Sequence, residues 1–182
     1  MLILGLDPSS TSTGYGLVRL VDRSLRYESC GHLRPPSSAT FAQRLEVLYD
    51  GLRSLLAEHH PDSVALESSF YGRDADAAAK LGEARGVLRL ALLQAGFDAI
   101  LYTPAEVKKS VVGNGQASKE AVQDMVTRLL RMQEPPPSLD ASDALAVAIC
   151  HSHRRPAVAG PTEPAAQRRP EVEALLRRVA NR

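Results

Sequence analysis

The chain has 182 residues and a mass of 19.6 kDa, which predicts one domain with at most a short tail. With 44% hydrophobic and 24% charged residues, disorder is excluded as the main state. The two cysteines, Cys30 and Cys150, cannot build a disulfide framework, and no CxxC suggests zinc. Net charge is +1 but unevenly spread: residues 1–150 hold 15 Lys and Arg against 18 Asp and Glu, and residues 151–182 hold 7 Arg against 3 Glu. The body is therefore mildly acidic and the tail basic.

The first element expected is a strand, MLILGLD, an apolar run ending in an acid. A turn-rich PSSTSTG leads into a second strand, YGLVRL, and SLRYESCGHL follows as a third. Three strands with short connectors predict an antiparallel meander. After Pro35 and Pro36, residues Phe41, Leu45, Leu48, Tyr49, Leu52, Leu55 and Leu56 recur at helical spacing, with Thr40 as N-cap. SVALES is a fourth strand, again ending in an acid. Residues 74–95 predict a long Ala-rich helix and DAILYTP a fifth strand. PAEVKKSVV predicts a short helix with Pro104 in its first turn, and residues 118–132 an amphipathic helix capped by Ser118. DASDALAVAICHSH is the last helix of the body. A meander followed by strand–helix alternation gives an α/β fold: a mixed five-stranded sheet with helices on both faces. Residues 156–170 contain four prolines and read as a linker. Val172, Leu175, Leu176 and Val179 then outline a short basic C-terminal helix. The expected division is a domain over residues 1–155 and a Pro/Ala-rich tail over 156–182. No apolar run approaches the ~18 residues of a membrane span, and MLILGLDPSS carries no basic leader, so a cytoplasmic location is expected.

Four carboxylates stand out. Asp7 and Glu67 each end an apolar strand, where a carboxylate is costly unless paired or bound to a cation. Asp140 and Asp143 are three apart at a helix start and share one face, where the helix dipole favours anions. If that helix crosses the two strand ends, the four converge. An oxygen-only donor set suits Mg²⁺ or Mn²⁺ rather than zinc. Two such ions about 3.5–4 Å apart would clamp a phosphodiester for in-line attack by water. Taken singly, each acid has a plainer role: a turn cap for Asp7, an N-cap for Asp140, a dipole partner for Asp143. The order strand-end acid, strand-end acid, helix-start pair is the pattern of an RNase H-like nuclease.

At this point the sequence resembles the RuvC family of Holliday junction resolvases, or crossover junction endodeoxyribonucleases. The resemblance runs from residue 1 to about 153 through ILGLDPSSTSTGYG, ALESSFYGRDADAAAKLGEARGVL, PAEVKKSVVGNGQASKEAVQ and DASDALAVAICH. It implies an RNase H-like fold, a homodimer, and a metal-dependent nuclease making paired symmetric nicks across four-way junction DNA. It implies that Asp7, Glu67, Asp140 and Asp143 form the metal-binding acidic tetrad, and that RuvA and RuvB are branch-migration partners. One departure is Ser9, where the family usually has Gly after Asp-Pro; a positive φ there would strain a serine.

The DNA-facing candidates are basic and aromatic. Lys108 and Lys119 match family positions that bind DNA and support catalysis, by positioning phosphate or stabilising charge. Lys109 is their weaker neighbour. Phe70, Tyr71 and Arg73 lie in the loop after Glu67; the resemblance puts the phenylalanine against DNA near the junction centre, and a ring there stacks on an exposed base. Ala78, Gly82 and Gly86 form a small-residue ridge, for packing on the sheet or for a two-fold dimer contact. His151 and His153, at i and i+2, do not share a helical face and do not read as a zinc pair. The same tetrad would serve another RNase H-like enzyme, an RNA:DNA hybrid hydrolase or a transposase core; only SSFYGRD and VKKSVVGNGQASK favour a junction. The D-x5-TG of Asp7 to Gly14 also suggests a sugar-kinase-type phosphotransferase, but one domain is too short for that two-lobed fold.

Overall fold

A computed structural model describes residues 1–9, 11–68 and 74–154. Phe70, Tyr71, Arg73 and the expected tail over 156–182 lie outside the described residues. Three strands open the chain, β1 (Leu2–Pro8), β2 (Thr13–Val21) and β3 (Ser24–Leu33), followed by α1 (Phe41–His59). Then come β4 (Ser63–Glu67), α2 (Ala75–Gln94), β5 (Ile100–Tyr102), α3 (Pro104–Val112), α4 (Lys119–Leu129) and α5 (Leu139–Arg154). The strands form one sheet in the order β3-β2-β1-β4-β5. The meander β1–β2–β3 is antiparallel, and β4 and β5 continue parallel to β1, as the sequence predicts.

Local chemistry accounts for the element boundaries. The Thr40 hydroxyl accepts from the Gln43 N–H at 3.3 Å while the Gln43 side chain accepts from the Thr40 N–H at 2.9 Å, a reciprocal cap. Thr103 and Glu106 repeat this cap at α3, with Pro104 in the first turn where its missing N–H costs nothing. Ser118 caps α4 through the Ala121 N–H. Turns at Asp22 and Arg23 take φ of 48° and 67°, which closes the β2–β3 hairpin tightly.

Strand alternation divides the core in two. Leu2, Leu4 and Leu6 of β1, Leu17 of β2, and Val64 and Leu66 of β4 pack against α1 and α2. Ile3, Val18 and Ala65 face the other way, against α3, α4 and α5. From Ala141 to Ser152 every residue of α5 except Asp143 is buried, because the sheet covers one side and α3 and α4 much of the rest. That explains why its sequence is apolar on all sides rather than amphipathic.

α5 lies unusually close to the sheet because three glycines floor its path. Gly5 pairs with Gly16 and Asp7 with Gly14 across β1 and β2. A Cβ at Gly5 would lie 2.2 Å from the Ala144 carbonyl oxygen, and one at Gly16 2.6 Å from the Leu145 nitrogen. At Gly14 it would lie 2.2 Å from the Asp140 carbonyl oxygen. Contacts that short do not occur, so the helix backbone rests where side chains would otherwise be.

α2 presents Ala84, Leu88, Ala91 and Leu92 to the core. Gly82 and Gly86 are exposed, with no atom within 4 Å of where a Cβ would stand. The ridge through them therefore does not pack on the sheet. Leu90 and Leu93, on the same helix, are 51% and 44% exposed.

Candidate active site

The alternation of β1 decides where Asp7 goes. Ile3 and Gly5 face α5, so Asp7, two further on, emerges on that side at the end of the strand. β4 runs parallel to β1 with Leu6 opposite Leu66, and its alternation through Ala65 brings Glu67 to the same side. The Ser68 N–H donates to the Tyr102 carbonyl at 2.7 Å, fastening the end of β4 to β5. The third contribution comes from α5, whose first turn rests on Gly14, the cross-strand neighbour of Asp7. The Ser138 hydroxyl accepts from the Ala141 N–H at 3.1 Å and opens that helix, leaving Asp140 free of capping duty.

The electrostatics reveal the convergence. Asp7 is held well above its ordinary pKa, first by burial, then by the charges of Glu67, Asp143 and Asp140, with Lys119 opposing. Glu67 is raised to about 7, chiefly by burial and then by Asp143, while Lys119, Lys108 and Arg85 pull the other way. Lys119 donates to Asp143 at 2.7 Å; burial lowers its pKa, but that bond and the charges of Asp143, Asp7 and Asp140 raise it overall. Lys119 is the first residue of α4, so the Ser118 cap sets its approach.

The structure thus brings Asp7, Glu67, Asp140, Asp143, Lys108 and Lys119 into one field. Lys109 is exposed on α3 and forms no side-chain hydrogen bond or ion pair among the described residues. Two residues join that sequence reasoning missed. Arg85 of α2 acts on Glu67, and its Nε is buried without a hydrogen-bond partner among the described residues. Ser12, only 4% exposed, donates to Asp140 at 3.2 Å. Ser9 does not take a positive φ, so the serine there is unstrained.

At the far end of α5, His151 is buried between the Ser63 hydroxyl at 2.7 Å and the Tyr102 hydroxyl at 3.0 Å, while His153 meets Ser110. The two histidines are on different sides of the helix, as their spacing predicts.

The family model for crossover junction endodeoxyribonuclease RuvC matches residues 3–151. The chain belongs to the RuvC family. A RuvC of Halorhodospira halophila is 48% identical over 155 residues, covering 85% of this chain and 92% of that protein. Among solved structures, Thermus thermophilus RuvC matches with a TM-score of 0.77 at 30% identity, covering 88% of this chain and 99% of that one. T. thermophilus RuvC in complex with a Holliday junction substrate matches with a TM-score of 0.79, at the same identity and coverage. The RuvC match begins within β1, takes in the rest of the sheet and ends within α5, so the site described above lies inside it. Among the described residues no helix is long and apolar enough to cross a membrane.

Proposed function

We propose that this chain is a structure-specific endonuclease that resolves four-way DNA junctions by paired symmetric nicks. The observation that carries the reading is the gathering of Asp7, Glu67, Asp140 and Asp143 around the start of α5 in a RuvC-family chain. Hydrolysis adds a water oxygen to the phosphorus and breaks the bond to the 3′ oxygen, which takes up a proton. The products are a 5′-phosphate and a ligatable 3′-hydroxyl.

The donor set fits hard divalent cations, Mg²⁺ or Mn²⁺. Burial and then the charges of their acidic neighbours hold Asp7 and Glu67 above their ordinary pKa, and Asp143 already draws an ammonium, Lys119, to 2.7 Å. Such an arrangement is under-supplied with positive charge. Among the described residues no three acidic, His or Cys side chains close on a single ion site by themselves, so phosphate or water oxygens would complete the coordination. In this reading Asp7, Glu67, Asp140 and Asp143 hold two ions, which when bound neutralise the phosphodiester and favour attack by water. The cations of this chain then do the rest. Lys119 would steady charge developing on the phosphate, and Lys108 and Arg85 would steady Glu67 and the DNA backbone, a reading supported by their charge effects in the site. Phe70, Tyr71 and Arg73 would contact DNA near the junction centre, the rings by stacking on an unpaired base and Arg73 on phosphate. Lys109, exposed, would add phosphate contact only.

Symmetric nicking needs two such sites. The exposed ridge of Gly82, Gly86, Leu90 and Leu93 supports a homodimer through α2, with the small residues allowing close approach. RuvA and RuvB are the branch-migration partners that family membership suggests. The decisive variant is Asp7→Asn: it should bind a four-way junction normally in a gel-shift assay and fail to cut it. Cleavage at the wild-type rate would remove Asp7 from the chemistry.

A further inference from the structure

We propose that Ser12 is a positioning residue for Asp140, held in place by Ser9; the inference rests on the reading of Asp140 as a cation-binding carboxylate. The Ser9 N–H donates to the Ser12 carbonyl at 2.8 Å, closing the turn between β1 and β2. The Ser9 hydroxyl donates to the same carbonyl at 2.9 Å, and accepts from the N–H groups of Ser12 at 3.0 Å and Thr11 at 3.3 Å. A hydroxyl has one proton and two lone pairs, so these three bonds exhaust Ser9. The 3.3 Å approach of the two serine hydroxyls is therefore a packing contact, and the Ser12 proton is left for another acceptor. That acceptor is Asp140 Oδ2 at 3.2 Å.

The consequence is a carboxylate fixed from two sides. Its backbone sits on Gly14, and its Oδ2 is held by a buried hydroxyl from the turn that follows Asp7. The Ser12–Asp140 bond, between residues 128 positions apart, thus ties the turn after the strand-end acid to the helix-start acid. A hydroxyl that donates to one carboxylate oxygen orients the other toward a cation without adding positive charge that would compete with it. Hydrogen-bond partners of metal-binding side chains typically matter at about the 10–100-fold level in affinity or activity.

The test is a Mn²⁺ titration followed by electron paramagnetic resonance on the DNA-free protein, run on wild type, Ser12→Ala, Ser12→Thr and Asp140→Asn. Thermal unfolding in chelator verifies that each variant folds. Ser12→Ala is expected to weaken Mn²⁺ binding about tenfold and to raise by the same factor the metal needed for half-maximal cleavage, with the rate at saturating metal recovering. Ser12→Thr, which keeps the hydroxyl, should stay within about threefold of wild type. Mn²⁺ affinity unchanged in Ser12→Ala but lost in Asp140→Asn overturns the role of Ser12 and leaves Asp140 as a ligand. Affinity unchanged in Asp140→Asn overturns the underlying reading as well. Equal weakening in the Ala and Thr variants would show that the hydroxyl is not what matters and also overturns the proposal.

Discussion

Gly14→Ala should separate the geometry of the site from its chemistry. The glycine pairs with Asp7 across β1 and β2, and its missing side chain is where the first turn of α5 rests. An added Cβ would stand 2.2 Å from the Asp140 carbonyl oxygen, 2.7 Å from the carbonyl carbon and 3.3 Å from the Asp140 Cβ. Ordinary contact begins at 3.4 Å, so the helix start must retreat by about 1.2 Å. The obstacles are mostly backbone and cannot rotate aside. α5 is also clamped from behind by α3 and α4, which share its buried cluster. Overpacking in a core costs about 1–3 kcal/mol, and a clash with backbone belongs at the upper end, about 3 kcal/mol. The functional loss should be larger, because a displacement of about 1 Å in a reacting group costs about 10²-fold in rate. Urea denaturation monitored by circular dichroism gives the first quantity, and single-turnover nicking of a synthetic junction, at a temperature where the variant is folded, gives the second. An unchanged urea midpoint together with wild-type nicking would refute the close seating of α5 on the sheet.

Other perturbations have distinct expected outcomes. Glu67 ionises near pH 7 in the folded chain against an ordinary value of 4.5, so the folded state keeps a proton that the unfolded state releases, and stability falls as pH rises across that interval. Glu67→Gln should therefore stabilise the metal-free protein by on the order of 1–3 kcal/mol at pH 8, with the gain fading toward pH 4.5, while abolishing cleavage; a destabilised variant at pH 8 would contradict the burial of that charge. Lys119→Ala removes the ammonium bonded to Asp143 and should lower single-turnover cleavage by about 10²-fold at saturating metal, with wild-type rates refuting a role in the reaction. Gly82→Leu fills an open position on α2 and should yield a monomer by analytical ultracentrifugation; an intact dimer would move the interface elsewhere.

The parts of this molecule governed by short-range rules were readable from sequence. Short apolar runs bounded by turns gave the five strands, and cap chemistry at Thr40, Pro104 and Ser118 gave three helix starts. Asp7 and Glu67 were also visible, because a carboxylate ending an apolar strand conflicts with its surroundings unless something else explains it, and Asp140 and Asp143 because they share one face at a helix start. What stayed hidden depends on which elements meet. The glycine floor of Gly5, Gly14 and Gly16 becomes a single feature only once β1 and β2 are paired and α5 is laid across them. Ser12 sits in a turn full of hydroxyls, and nothing local distinguishes the one that reaches Asp140. Arg85 reads as an ordinary helix cation until β4 delivers Glu67 beside it. The ridge of Gly82 and Gly86 left two readings open, the sheet or a dimer contact, because small residues signal close approach without saying to what; the sheet-facing side of α2 is built from Ala84, Leu88 and Ala91 instead.

The most direct test of the account is cleavage of a synthetic mobile four-way junction beside a linear duplex and an RNA:DNA hybrid of the same sequence, each with Mg²⁺, Mn²⁺ or chelator. The account predicts paired symmetric nicks in the junction alone, re-sealable by ligase and lost in chelator. Cleavage of the hybrid with the junction left intact would contradict it, keeping the acidic site but assigning it to a different substrate.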